Sequence, residues 1–398
     1  MSDQHQSARR DFLKNATLLG AGLMAGTSYA LAPRAATKSL QSHSFYGKHQ
    51  QGIATPVQKQ IYFMVLDLHT TDLAKIKEMF QTWTQYSANL TAGKNVKPYG
   101  SNPYVPTYDT GEADGLNPHN LTLTFGISPT FFEKLGIDKL KPELLKNLPH
   151  FPRDQLRKEY SQGDICIQAC ADDPQVAFHA VRNLVRIARS NITMRWSQAG
   201  FNSFEGSDTP RNLFGFKDGT GNPQGNDLDK TVWYEGNDWL KDGSFLVARR
   251  IQMHLETWDR TNLNGQEETF GRHRDSGAPI GMKHEFDQVD LSKTDEKGNA
   301  VIPEISHLHL AKKTGFSILR RSFSYASGID AKTGQFDAGL LFISFQKDPE
   351  QFIKIQNSLG NIDKMNEYIT HIGSGLFACF AGVKDENDYL GKALFDQI

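Results

Sequence analysis

Along this chain apolar positions alternate, then recur every third or fourth residue, then alternate again, and the succession occurs twice. In the first half Ile61–Leu68 alternates like a half-buried strand, and Asp72 to Ser87 carries a helical spacing. Leu121–Gly126 and Ile165–Ala171 follow as strands. A helical pattern then runs from Asp172-Asp173-Pro174-Gln175 through Arg189, ahead of a strand at Ile192–Ala199. The second half predicts strands at Phe245–Trp258, Phe316–Ser324, Gly339–Phe345 and Leu376–Ala381. Its helical stretches are Gly265–Gly271 and the run that follows Lys347-Asp348-Pro349-Glu350. An Asp side chain accepts from the open N–H groups of a first turn and Pro has no N–H to lose there, so Asp-Pro is a strong helix start. Strand, Asp-Pro and helix recur about 175 residues apart, which argues for duplication. Each half reads β-α-β-β-α-β, the ferredoxin-like order. The expected class is therefore α+β, with two ferredoxin-like units, residues 60–208 and 209–398, packed together.

Residues ahead of the first strand read differently. Ala8-Arg9-Arg10-Asp11-Phe12-Leu13-Lys14 is close to a twin-arginine export pattern, a Gly- and Ala-rich apolar stretch follows, and Ala30-Leu31-Ala32 offers a cleavage site. These features predict a signal peptide over residues 1–32, an extended arm over 33–59, and a periplasmic protein exported by a route that carries folded, cofactor-loaded chains. No later stretch has the roughly 20 apolar residues a membrane span needs. Lys and Arg number 44 against 45 Asp and Glu, so the balanced charge disfavours a nucleic-acid partner. Cys166 and Cys170 fall on one predicted strand, about 13 Å apart, beyond disulfide reach. With Cys379 they are expected to be small buried residues.

The candidate chemistry centres on Asn212-Leu213-Phe214-Gly215-Phe216-Lys217-Asp218-Gly219-Thr220-Gly221-Asn222-Pro223. Its glycines allow a close approach to something large and flat, and Phe214 and Phe216 argue burial. Asp218 is either a working acid/base or the cap of a tight turn. A second stretch, Ile305-Ser306-His307-Leu308-His309-Leu310-Ala311, alternates like a strand and would put both imidazoles on one face.

The run Gly215-Phe216-Lys217-Asp218-Gly219, with Thr220 and Asn222-Pro223, resembles the signature of the dye-decolorizing peroxidases, a haem family built from two ferredoxin-like units in an α+β barrel-like arrangement. Phe45 to Pro56 resembles the segment that opens the same family, and the likeness continues to the C-terminus. The resemblance implies haem b, one per chain, with His307 as the proximal ligand, although His309 stands where the family usually has Arg and Ser306 where it has Ala. It implies Asp218 as the distal proton shuttle and Arg320, in Leu319-Arg320-Arg321, as the distal cation, with Gly219, Thr220 and Gly221 beside the cofactor. Asp363 is implied as the carboxylate behind the imidazole. Lys313, Lys312 and Arg272 are candidates for the haem propionates. The expected substrates are hydrogen peroxide and small aromatic reductants, with oxidising equivalents reaching large dyes through Trp233, Tyr234, Trp239 or Trp258 unless those residues simply pack the core.

Arg249-Arg250-Ile251-Gln252-Met253, Trp258-Asp259-Arg260-Thr261 and Phe270-Gly271-Arg272 are most similar to an exported group within that family that accompanies bacterial iron uptake. That likeness implies release of iron from haem and a homodimer. Two other readings compete. One is a non-catalytic periplasmic haem carrier, which would have no need of Asp218 and Arg320. The other is a non-haem metal protein, for which no ligand spacing is present.

Overall fold

The strand β1 (Gln60–Leu68) is followed by α1 (Leu73–Thr91), β2 (Thr122–Ile127), β3 (Ile165–Ala171), α2 (Pro174–Ala188) and β4 (Ile192–Phe201). The second half runs β5 (Ser244–Met253), α3 (Leu263–Phe270), α4 (His307–Lys312), β6 (Leu319–Arg320), β7 (Phe323–Ile329), β8 (Phe336–Gln346), α5 (Pro349–Leu359) and β9 (Ile369–Cys379). The computed structural model describes residues 42–206, 209–217 and 221–398; the expected signal peptide, the start of the arm, and Asp218, Gly219 and Thr220 lie outside them.

Hydrogen bonding orders the first half β2-β3-β1-β4 and the second β9-β5-β8-β7, the ferredoxin-like order in both. The edges of one half meet the edges of the other. β2 pairs with β9 through Gly126 and Cys379, and β4 with β7 through Phe201 and Ser324. Eight strands thereby close into a barrel-like sheet, while β6 pairs with β8 on the edge opposite β5, in line with β7. Among the described residues no helix is long and apolar enough to cross a membrane.

Both Asp-Pro helix starts are realised. Asp173 accepts from the N–H groups of Gln175 and Val176, and Asp348 forms a capping box with Gln351. Four strand expectations need correction. Phe245–Trp258 stops pairing at Met253, and Leu255–Trp258 turns into a short helix. Phe316–Ser324 divides into β6 and β7, and the last strand begins at Ile369, well before Leu376. Residues 305–311 are not a strand. Ser306 caps a single helical turn, α4, by accepting from the His309 N–H, and the Leu310 N–H donates to the Ser306 carbonyl. Over so few residues, alternation and the 3.6-residue period make nearly the same pattern, and the cap decides.

Two apolar layers follow from strand alternation. Phe63, Val65, Leu246, Ala248, Phe323, Leu341, Ile343 and Phe377 fill the barrel interior. The opposite face packs Ile76, Phe80 and Trp83 of α1 and Val176, Val181 and Leu184 of α2 against the sheet. Cys166, Cys170 and Cys379 are buried and unbridged, as expected, and burial pushes the thiols of Cys166 and Cys379 upward, away from reactive thiolate.

Candidate active site

The outer face of the second half is only partly covered. α4 and α5 stand away from β5, β8 and β9 and leave a cavity between them. Arg249, Ile251 and Met253 line it from β5, since odd positions face outward, whereas Arg250 faces the barrel interior between the rings of Tyr160 and Tyr325, 4.3 Å from each centroid. Leu340 and Phe342 of β8, Phe352, Ile355 and Leu359 of α5, and Phe270, Leu308, Phe316 and Ile318 complete a mostly apolar wall.

His307 is the first residue of α4 and lines this cavity. Its Nδ1 lies 2.7 Å from Asp363 Oδ2. The other carboxylate oxygen, Oδ1, accepts from the Met365 N–H at 2.9 Å and caps the short helix Lys364–Glu367. One buried carboxylate therefore fixes both a helix start and an imidazole, and a His with Nδ1 so held ligates through Nε2 with raised basicity. His309, two residues on, does not line the cavity, and its buried Nδ1 has no hydrogen-bond partner among the described residues.

Arg320 enters the cavity from β6 and Arg272 from the turn after α3. Arg272 donates to the carbonyls of Gly277 and Glu285 at 2.6 and 2.9 Å. Lys312 lines the cavity, whereas Lys313 is exposed at the end of α4 and lies outside the lining. Gly221 and Asn222 reach the cavity edge. Asp218, Gly219 and Thr220 fall outside the described residues, but the chain on either side of them is anchored. Phe216 stacks on Phe270 with ring centroids 4.2 Å apart and 5° between planes, and Phe214 lies against Trp258 at 4.5 Å. The expected burial of both Phe residues is thus met. Asn212 Oδ1 accepts from the N–H groups of Phe214 and Phe216.

The sequence reading missed Arg249 and His371 as cavity residues. Arg249 is almost wholly buried, donates to Ser374 Oγ at 3.0 Å and pairs with Asp154. Burial draws its guanidinium downward against the pull of Asp154. His371 is buried, and burial, aided by Arg249 and His307, lowers its pKa to about 3, so it is neutral in ordinary solution. A strand expected only from Leu376 leaves His371 outside its element, which begins at Ile369. Trp233, Trp239 and Trp258 are all buried, with Trp239 and Trp258 donating to the carbonyls of Leu140 and Phe214, so core packing accounts for them.

The donor set fits a haem. A porphyrin brings four nitrogen ligands of its own and asks the protein for one basic imidazole, flat apolar walls and cations for its propionates. His307 with Asp363, the aliphatic and aromatic walls, and Arg272, Lys312, Arg249 and Arg320 meet those needs. Among the described residues no group of three or more His, Cys, Asp or Glu side chains is placed to hold a bare metal ion.

Comparison with known proteins agrees with this chemistry. Residues 50–202 match the family model for the Dyp-type peroxidase N-terminal region, and residues 209–384 match that for the C-terminal region. The deferrochelatase of Escherichia coli strain K12 is 36% identical over 98% of this chain and 97% of its own. A DyP-type peroxidase from Streptomyces coelicolor superposes with a TM-score of 0.83 at 37% identity, covering 90% of this chain and 98% of that one. Ferric DtpA from Streptomyces lividans gives the same values. The chain belongs to the Dyp-type peroxidase family and is a haem peroxidase.

Proposed function

We propose that this chain holds one haem b per protomer and uses hydrogen peroxide to oxidise small phenolic or dye-like donors. The observation that carries the reading is the His307–Asp363 pair, 2.7 Å apart, at the wall of an apolar cavity that also receives Arg320. Bound haem would supply the redox-active iron, with His307 as its ligand and Arg272 and Lys312 near its propionates. Gly221 edges the cavity and, with Gly219 and Thr220, would sit beside the cofactor. Lys313 is kept as a propionate partner only for a bound state that draws it inward.

Splitting peroxide heterolytically needs a proton moved from its inner to its outer oxygen and a fixed cation where charge develops. Asp218 carries the proton, so that the departing oxygen leaves as water. Arg320 cannot deprotonate and supplies the cation. Two donor molecules, each giving one electron, return the centre to rest. Asp218→Asn and Arg320→Ala are each expected to lower peroxide-driven donor oxidation by about 100-fold or more. Wild-type turnover in both variants, with haem retained, would remove Asp218 and Arg320 from these roles; a haem-loaded wild type that does not turn over would leave the carrier reading in place.

We further propose residues 1–32 as a twin-arginine signal peptide and 33–59 as the arm, with domains over 60–208 and 209–398, and a periplasmic homodimer serving an iron-uptake system. The 36% identity to proteins named deferrochelatase favours iron release from haem as a second activity of the same cavity. Free protoporphyrin, read by its fluorescence during incubation with haem, supports that activity; porphyrin that stays metallated counts against it.

A further inference from the structure

β6 is a two-residue strand with, among the described residues, a neighbouring strand on one side only. Leu319 and Arg320 lie opposite Phe345 and Ser344 of β8, and the Arg321 N–H turns back to the Ile343 carbonyl at 2.8 Å. In a strand the N–H and C=O of one residue point to the same side, and successive residues alternate. The backbone groups of Arg320 therefore face away from β8, where the sheet has ended. Asn222 takes the place of the missing strand. Its Oδ1 accepts from the Arg320 N–H at 2.8 Å, and its Nδ2 donates to the Arg320 carbonyl at 2.7 Å. A side-chain amide presents one acceptor and one donor at the spacing of a peptide group, so the pairing is two-point and sets direction as well as distance.

Asn222 lines the cavity together with Arg320, and both also border a second cavity formed with Pro56, Val57, Phe204 and Pro210. β6 thus lies between two cavities: Leu319 is buried in the barrel core, whereas Arg320 borders both spaces. Such a strand needs its backbone fixed if its side chain is to stay on target.

We infer that Asn222 is a positioning residue for the distal cation: by clamping the backbone of Arg320 it sets where the guanidinium stands over the reaction centre. The inference rests on the peroxidase reading above. It gives Asn222 a role separate from the proton shuttle four residues earlier in the chain, and it ties residue 222 to the strand that bears the cation.

Four ferric holoproteins test it: wild type, Asn222→Ala, Arg320→Ala and the double variant. Three quantities are read on each, namely the second-order rate of reaction with hydrogen peroxide, the affinity for fluoride, and the unfolding midpoint. Fluoride is the probe because a bound anion draws its stability from a well-placed distal cation without any turnover. Asn222→Ala is expected to lower the peroxide rate and the fluoride affinity by about tenfold each, as a small misplacement of a charge-stabilising group does. In the Arg320→Ala background the same change is expected to alter neither, while its effect on the unfolding midpoint persists, because the backbone clamp is lost in both backgrounds.

Equal losses in both backgrounds would overturn the inference by showing a route that does not pass through Arg320. So would unchanged fluoride affinity in the single variant. If Asn222→Ala does not fold, Asn222→Asp replaces it. Its carboxylate still accepts from the Arg320 N–H but repels the carbonyl, and the same pattern is expected with a smaller amplitude. A wild type that takes up no haem fails the peroxidase reading itself, whereas a reactive wild type matched by Asn222→Ala fails only this inference.

Discussion

Asp363 serves two partners with its two oxygens, and that division was half visible in the sequence. Its place at a helix start was legible from Asn361-Ile362-Asp363-Lys364-Met365; its contact with an imidazole 56 residues away came from the resemblance alone. Asp363→Asn keeps an oxygen to cap Met365 but removes the charge behind His307. It is expected to raise the ferric–ferrous potential and to speed haem loss by about ten- to a hundredfold, followed by potentiometry and by haem transfer to an apoglobin. His371 carries a prediction about pH. Its folded pKa of about 3 lies below the ordinary value of 6.5, so the neutral form is the one the fold accepts. The associated stability is complete above about pH 6.5 and is lost progressively as pH falls toward 3, because only the unfolded chain takes up the proton in that window. Between pH 7 and pH 5 the wild-type apoprotein is expected to lose up to about 2 kcal/mol more than His371→Gln in urea unfolding. Parallel losses in the two proteins would remove His371 from that balance.

At the scale of elements, local chemistry was read well where caps and periods agree and poorly where they compete. The helices that follow Asp173-Pro174 and Asp348-Pro349 announce themselves through side chains that satisfy the first N–H groups. α4 was mistaken for a strand because His307-Leu308-His309-Leu310 alternates in burial even as a helix, and the one contrary signal was Ser306 at the cap. β6 and β7 could not be separated by pattern: the Arg321 N–H still bonds to the Ile343 carbonyl of β8, and only its side chain turns away to the arm. Its guanidinium donates to the carbonyls of Thr55 and Pro56 and to Gln58, contacts far away in sequence. α5 is the element through which capping reaches function, because Phe352, Ile355 and Leu359 wall the cavity. Asp348→Ala removes the capping box and is expected to cost about 1 kcal/mol in urea unfolding, with faster haem loss. An unchanged midpoint and unchanged haem retention would show that packing alone holds α5.

For the whole molecule, the duplication seen in the hydrophobic pattern becomes a closed sheet, and closure is the part that no local pattern carries. Which edge of one half meets which edge of the other depends on contacts more than 120 residues apart, Phe201 with Ser324 and Gly126 with Cys379. Gly126 has no room for a side chain. An added Cβ would stand 2.9 Å from the Phe377 Cβ and 3.1 Å from the Sγ atoms of Cys166 and Cys379. Gly126→Ala is expected to cost about 1–3 kcal/mol by overpacking the seam, in one cooperative transition; two separate transitions would mean that the halves unfold independently. The closed barrel in turn fixes β5, β8 and β9 as the floor of the cavity, with α4 and α5 above it, so the account of the molecule comes down to what that cavity ligates. The most direct measurement is the visible absorption spectrum of the purified protein reconstituted with haem, for wild type, His307→Ala and His309→Ala. A strong Soret band in wild type and His309→Ala that is lost or displaced in His307→Ala is the expected result. A wild type that takes up no haem, or a His307→Ala spectrum identical to wild type, would contradict it.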